Sequence, residues 1–226
     1  SQPPPAFRLD GKDAPFTVEQ ARRRGEEALA AGRVAALVVA GGQGSRLGFE
    51  HPKGMFEIGP ISKKPLFQIF FERVLATVRR YGAPVPVVVM TSPATHDETI
   101  EFLTEHDYWG VTASDVSVVC QGTMPAVDSG SGKLLLASTS SLALAPDGHG
   151  GMLAALSKSG ALGRAREKGI EQFSYVQIDN PLAQVCHPEL VGYHLLAESE
   201  MTSQVVRKRS PTEKVGNVVM VDGKMQ

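Results

Sequence analysis

Four glycines at positions 41, 42, 44 and 48, with arginine at 46 and lysine at 53, are the residues whose types and spacing most directly suggest chemistry. Glycines lack Cβ atoms, so such a backbone can turn sharply and approach a ligand closely. Exposed N–H groups in a loop of this kind cradle phosphate oxygens. Arg46 adds a planar fork of donors and Lys53 a compact point charge. The combination suits a polyphosphate better than a neutral ligand. Its spacing also excludes two familiar phosphate loops. A dinucleotide fingerprint needs glycine where Leu47 stands after Gly42 and Gly44, and a Walker A loop needs lysine after a glycine, whereas Lys53 precedes Gly54. The run Gly130-Ser-Gly132-Lys133 fails the same pattern at Val127 and Leu134.

The loop must be held by something rigid. Val34 to Val39 is a short apolar run that reads as a fully buried parallel strand. A glycine-rich loop at the carboxyl end of a first buried strand is where open α/β sheets place their ligands. Upstream, residues 1–16 are Pro-rich and polar, an extended arm, and Thr17-Val-Glu-Gln20 is a capping box that starts a helix stopped near Gly32. Downstream, Pro65 starts a helix whose Phe67, Phe71, Val74 and Val78 stripe packs on the sheet. Val85–Met90, Val116–Val119 and Phe173–Ile178 read as further strands, with an acidic helix ending near His106 and another at Met152–Lys158. Alternation of strands and helices predicts an α/β fold, a doubly wound, mostly parallel sheet sandwiched by helices. The expected division is an N-terminal arm and helix over residues 1–32 and one core over 33–226. Ser203–Val206 and Val218–Val221 look like antiparallel strands, with Asp222-Gly223 as a hairpin turn. His96 and His106 read as surface residues.

Composition bounds the function. With 23 Lys+Arg against 24 Asp+Glu the formal charge is −1, so no global basic field points to nucleic acid. No apolar run approaches the ~20 residues needed to span a bilayer, and the Ser-Gln-Pro-Pro-Pro start lacks a secretion signal's apolar core. Two cysteines, Cys120 and Cys186, form neither a metal motif nor a disulfide framework. A small-molecule protein of the cytoplasm, binding neither nucleic acid nor membrane, is the expectation.

The stretch Ala40-Gly-Gly-Gln-Gly-Ser-Arg-Leu-Gly48 followed by Pro52-Lys-Gly54 resembles the nucleotide-binding signature of the UDP-sugar pyrophosphorylases, most closely the UDP-N-acetylhexosamine branch. The similarity continues in order through Gln121-Gly-Thr-Met-Pro-Ala126, Ala145-Pro-Asp-Gly-His-Gly-Gly151 and Ile178-Asp-Asn180. It implies a Rossmann-like nucleotidyltransferase core that joins UTP and a sugar 1-phosphate into a UDP-sugar and pyrophosphate. Such a reaction needs neutralisation and alignment of two polyanions, not a nucleophile from the protein.

Carried over residue by residue, the resemblance makes Arg46 and Lys53 the charge-stabilising, catalytic groups. Gln121 becomes the uracil-reading amide, with Ala40, Gly41, Gly42, Gly44, Gly122 and Pro125 around the nucleotide. Gly148, His149 and Asn180 fall on the sugar side. His149 departs from the branch, which commonly has asparagine there. This keeps glucose 1-phosphate beside N-acetylglucosamine 1-phosphate as acceptor, and a nucleotide-sugar-binding module without turnover is the reading of another class. Asp179, at the end of a buried strand, is either a ligand for Mg²⁺ or the cap of an Asx turn. Only Lys224-Met-Gln226 follow the predicted turn, too few for a returning strand of ~5 residues. Family members also continue well past this point, so the chain is expected to be incomplete at its C-terminus and a poor catalyst alone.

Overall fold

The computed structural model describes residues 6, 8, 15–210, 212–213, 218–221 and 224–225. In chain order its elements are α1 (Val18–Ala30), β1 (Val34–Val39), α2 (Leu66–Tyr81), β2 (Val87–Thr91), α3 (His96–Glu105) and β3 (Val116–Cys120). Four short strands follow, β4 (Thr123–Pro125), β5 (Leu136–Ser138), β6 (Ser141–Leu142) and β7 (Leu144–Pro146). Then come α4 (Met152–Lys158), α5 (Ala161–Glu167), β8 (Gln172–Gln177), α6 (Pro188–Leu196), β9 (Met220–Val221) and β10 (Lys224–Met225). Two compact units emerge, residues 28–186 and residues 1–27 with 187–226. The boundary expected at 32/33 does not coincide with this division.

In the larger unit, four parallel strands lie in the order β3-β2-β1-β8. Because side chains alternate across a strand, β1 serves two cores. Leu37 and Val39 face the side covered by α4 and α5, where they meet Val88, Met90, Val119, Leu156 and Ala161. Val38 faces the other side, in register with Val176, which with Ile178 meets Leu66, Ile69 and Phe70 of α2. Phe67, Phe71 and Val74 are fully buried, as the helical stripe predicts, and Val78 is half-buried. Each such side chain contributes about 1.5–3 kcal/mol of burial. The sheet is therefore a three-layer sandwich. From β1 the chain winds outward through α2 to β2 and α3 to β3, then returns to place β8 on β1's other side. The carboxyl ends of β1 and β8 thus flank the point where strand order reverses, the usual ligand crevice of open α/β sheets.

Three local features of this unit go beyond the sequence reading. Thr123–Pro125 pairs antiparallel with β7, Thr123 opposite Pro146. His96 is half-buried, its Nδ1 2.7 Å from Thr91 Oγ1, because the first turn of α3 packs beside the end of β2. Helix α5 was not anticipated: seven residues with two arginines and a glycine carry too little periodicity to announce it.

In the smaller unit, α1 opens with the predicted reciprocal cap: Gln20 N–H donates to Thr17 Oγ1 (3.1 Å) and Thr17 N–H to Gln20 Oε1 (2.7 Å). Helix α6, unanticipated despite Pro188 in its first turn, crosses α1 at backbone distance. A Cβ on Gly192 would fall 1.6 Å from the Ala21 carbonyl oxygen, and one on Gly25 1.8 Å from that of Pro188. Arg22 locks the crossing with two hydrogen bonds to Glu189 Oε1, at 3.0 and 2.7 Å. That bond and the adjacent charge hold the Arg22 guanidinium above its ordinary pKa. The expected strand at Ser203–Val206 is absent, those residues being irregular. The predicted turn residues Asp222 and Gly223 lie outside the described residues. The segments around them do pair antiparallel, Val221 with Lys224 and Met220 with Met225, a returning strand of two residues.

Candidate functional site

A cleft of ≈ 300 Å³ lies at the carboxyl ends of β1, β3 and β8. Val39, Gly41 and Gly42 line it from β1 and its loop, Gln121 from β3, and Gln177, Ile178 and Asp179 from β8. Pro146 and Gly148 close it from the end of β7, and Lys53 comes from the loop's far side. Six of the sequence-predicted site residues, Gly41, Gly42, Lys53, Gln121, Gly148 and Asp179, thus meet in one place.

The loop is folded on itself by its own backbone. Gly44 N–H donates to His51 O (2.9 Å), Gly48 N–H to Ser45 O (3.1 Å) and Lys53 N–H to Gly42 O (2.9 Å). Gln43 and Pro52 form an antiparallel bridge between the two arms. The return arm ends in a 3-10 turn, Lys53–Met55, seated on α2: a Cβ on Gly54 would lie 2.2 Å from Phe67 Cε2. That seat aims Lys53 at the cleft. Its Nζ donates to Asp179 Oδ2 at 2.9 Å, with the lysine side chain a quarter exposed. A Cβ on Gly42 would sit 3.6 Å from the same Nζ.

Gln121 is buried, and its N–H donates to Thr91 O at 2.8 Å. Its Nε2 lies 3.2 Å from where a Gly41 Cβ would be. An amide that both donates and accepts therefore stands beside a bare glycine backbone, the pairing a uracil edge requires. Among the described residues Gly41 and Gly42 donate no backbone hydrogen bond, so those donors remain available in the cleft.

The other predicted residues are placed differently. Ala40 and Gly44 are buried with their N–H groups bonded to Met90 O and His51 O. Gly122 packs against Asp147, whose Oδ2 would be 2.5 Å from a Cβ there, and Pro125 is exposed in β4. Arg46 is exposed on the 3-10 turn Ser45–Leu47, does not line the cleft, and makes no ion pair among the described residues. His149 opens the turn His149–Gly151. Asn180 lines a separate, small cavity of ≈ 20 Å³ beside Leu66 and Arg73. Sequence reasoning missed Gln177, which lies in the cleft. Its signal was period-2 alternation: two residues before Asp179, it shares that residue's strand face. The phenol of Tyr175, on the same face, is held above its ordinary pKa by desolvation, a hydrogen bond with Gln177 pulling the other way.

The cleft lining contains no hydroxyl, thiol or imidazole, and its single carboxylate is paired with Lys53. Among its lining residues such a surface offers one cation, Lys53, and no nucleophile. The Cys120 thiol is pushed up by desolvation and by the charges of Asp97 and Asp147. Among the described residues no three His, Cys, Asp or Glu side chains gather to hold a metal. Asp179 is the one carboxylate of the cleft lining that could ligate a hard cation, and it would need further ligands from outside the protein. The Asx-turn alternative is not what closes its bend: Asn180 N–H donates to the backbone oxygen of Gln177 (3.1 Å) and the Asp179 carboxylate accepts from Lys53.

Residues 12–226 match the family model described as UTP–glucose-1-phosphate uridylyltransferase. The chain belongs to this family. A relative from Dictyostelium discoideum, described as a UDP-N-acetylglucosamine pyrophosphorylase, is 38% identical over 212 residues, covering 88% of this chain and 44% of its own length. A crystal structure from Entamoeba histolytica, of a protein given the same description, superposes with a TM-score of 0.88 at 33% identity, over all of this chain and 57% of that one. A Trypanosoma brucei UDP-N-acetylglucosamine pyrophosphorylase, solved with an inhibitor, gives 0.84 at 31% identity over 92% of this chain and 44% of that one. The chain thus spans a little under half the length of the curated relatives it matches. The Rossmann-like nucleotidyltransferase fold inferred from the glycine loop is shown. No helix among the described residues is long and apolar enough to cross a membrane.

Proposed function

We propose that the cleft binds UTP and serves transfer of its uridylyl group to a sugar 1-phosphate, N-acetylglucosamine 1-phosphate before glucose 1-phosphate. The observation that carries this reading is the meeting of Lys53, the Gly41–Gly42 edge and the Gln121 amide in one crevice. The base would lie against Gln121 and Gly41, and the triphosphate would run past Gly42 to Lys53. An ammonium has three donors; the bond to Asp179 leaves two for phosphate oxygens. The acceptor's phosphate is already ionised, so alignment and charge neutralisation suffice and no base is required. Mg²⁺ held at Asp179 would add neutralisation of the phosphates. Arg46, exposed outside the cleft lining, would complete the proposed charge set by swinging inward from its turn. A cytoplasmic setting belongs to the same reading, in keeping with two free cysteines.

The relatives' printed names favour the N-acetylated acceptor. The histidine at 149, where the resembling branch commonly has asparagine, keeps glucose 1-phosphate as the second reading. Pyrophosphate release from UTP and Mg²⁺, with a panel of sugar 1-phosphates, tests both. N-acetylglucosamine 1-phosphate is expected to give the highest kcat/KM, and His149→Asn to raise its advantage over glucose 1-phosphate. UTP binding without release for any sugar would replace the enzyme with a binding module.

A further inference from the structure

The glycine loop is fastened at both ends to a single neighbouring piece of chain, the turn and helix that follow β2. At its start, Ser92 Oγ, on a residue 2% exposed, donates to Gly41 O at 2.7 Å. Ser92 is itself fixed: its N–H donates to Thr95 Oγ1 (3.1 Å), and Thr95 N–H returns to Ser92 O (2.9 Å). At the loop's end, His51 Nδ1 pairs with Glu98 Oε1 on the first turn of α3. His51 O accepts from Gly44, and the His51 ring packs against Phe49, centroids 5.0 Å apart. Lys53 is two residues further on. The glycine-rich loop is thus bracketed by Ser92, His51 and Glu98, none of which lines the cleft.

We propose that His51 and Glu98 are positioning residues, a latch that holds the loop's return arm so that Lys53 meets the phosphates while Ser92 holds the base-facing end. This rests on the nucleotide reading of the cleft. The two ends differ in kind. The Ser92 end is buried and built into the fold. The His51–Glu98 end is exposed, with side chains 55% and 38% accessible, and can open without unfolding anything. Exposed pairs couple weakly, so the expected effect is a small change in geometry felt at Lys53, not loss of structure.

The test reads the latch with and without nucleotide. In the ligand-free chain, His51→Ala and Glu98→Ala are each expected to lower hydrogen-exchange protection of the Gly44 and Lys53 amides, which bond across the loop's two arms. Calorimetry with UTP should show about a two- to fivefold loss of affinity in each. The double variant should lose no more than either single one, as partners of one interaction do. Glu98→Gln, which keeps an acceptor for the imidazole, should recover part of the loss, and Glu101→Gln, on the same helix, should change neither readout. Additive losses, or unchanged UTP affinity despite lowered amide protection, would overturn the proposal. Wild-type chain that ignores UTP would instead refute the nucleotide reading and with it the positioning role, while the exchange data would still show whether the latch closes.

Discussion

Gly54→Ala tests how Lys53 is aimed. The new Cβ would fall 2.2 Å from Phe67 Cε2 and 2.3 Å from Cζ, where carbon atoms settle at about 3.5–4.0 Å. The Phe67 ring is fully buried, with the Phe102 ring 6.3 Å away, and has no open space to swing into. The 3-10 turn must therefore lift from α2 by about 1.3–1.8 Å. Overpacking of this kind costs about 1–3 kcal/mol. In a chain of this size that corresponds to a fall in Tm of about 2–12 °C. The same displacement moves Lys53, the adjacent residue, whose Nζ sits 2.9 Å from Asp179. A misplacement of ~1 Å costs up to ~10²-fold in a positioned reaction, so pyrophosphate release should fall more than stability alone explains. Thermal denaturation and UTP calorimetry on one preparation separate the two losses. Phe67→Leu removes the clashing ring atoms, so the double variant should recover part of both, a non-additive result. A Tm within about 1 °C of the parent, with unchanged UTP affinity, would refute the close packing and the aiming argument together.

The remaining expectations are briefer. Lys53→Met should abolish measurable UTP binding, since it strips the cleft of its lining cation, whereas Arg46→Ala should spare binding and lower turnover by ~10²–10³, as for other transition-state charge donors; normal kcat in the alanine variant would remove Arg46 from the charge set. Gly192→Ala places a methyl 1.6 Å from a main-chain oxygen and should cost at least ~1–3 kcal/mol by denaturant unfolding, while Gly163→Ala, with open space around it, should cost nothing of the kind. Glu72 is held below its ordinary pKa of 4.5 chiefly by its hydrogen bond from Lys64. A depressed folded pKa contributes stability that is full above the unfolded value and is lost as pH falls through the folded one. The destabilisation caused by Glu72→Gln should therefore be present at pH 7 and vanish progressively below about pH 4.5; a pH-independent difference would contradict the assignment.

What the sequence made legible follows from how locally each feature is determined. The buried strand Val34–Val39, the capping box at Thr17 and the α2 stripe are set by short-range pattern, and the structure reproduces them. The glycine loop is local in the same sense, and its Gly41 and Gly42 line the cleft. Gln177 was legible only through Asp179, whose strand face it shares two residues earlier; that this face meets a loop on the order of 130 residues earlier is set by the sheet and not by local pattern. The α1–α6 crossing was hidden: Gly25 and Gly192 acquire meaning only when each is set against the other helix's backbone. Arg46 shows the converse. Its place in the motif gave it a role, while its exposure on the loop's turn is a property of the folded backbone that no residue spacing records.

The strand order has a consequence for how the protein comes to be. β1, β2 and β3 pair with near neighbours in the chain, but β1 meets β8 only after a loop on the order of 130 residues has closed. Loop closure makes so distant a pairing slow relative to local ones. The glycine loop, Gln121 and Ser92 can all assemble with the first three strands, whereas Gln177 and Asp179 arrive with the fourth. Lys53 therefore waits, without its carboxylate partner, until the last strand docks. A nascent chain still short of β8 has one wall of the cleft and no counter-charge for Lys53.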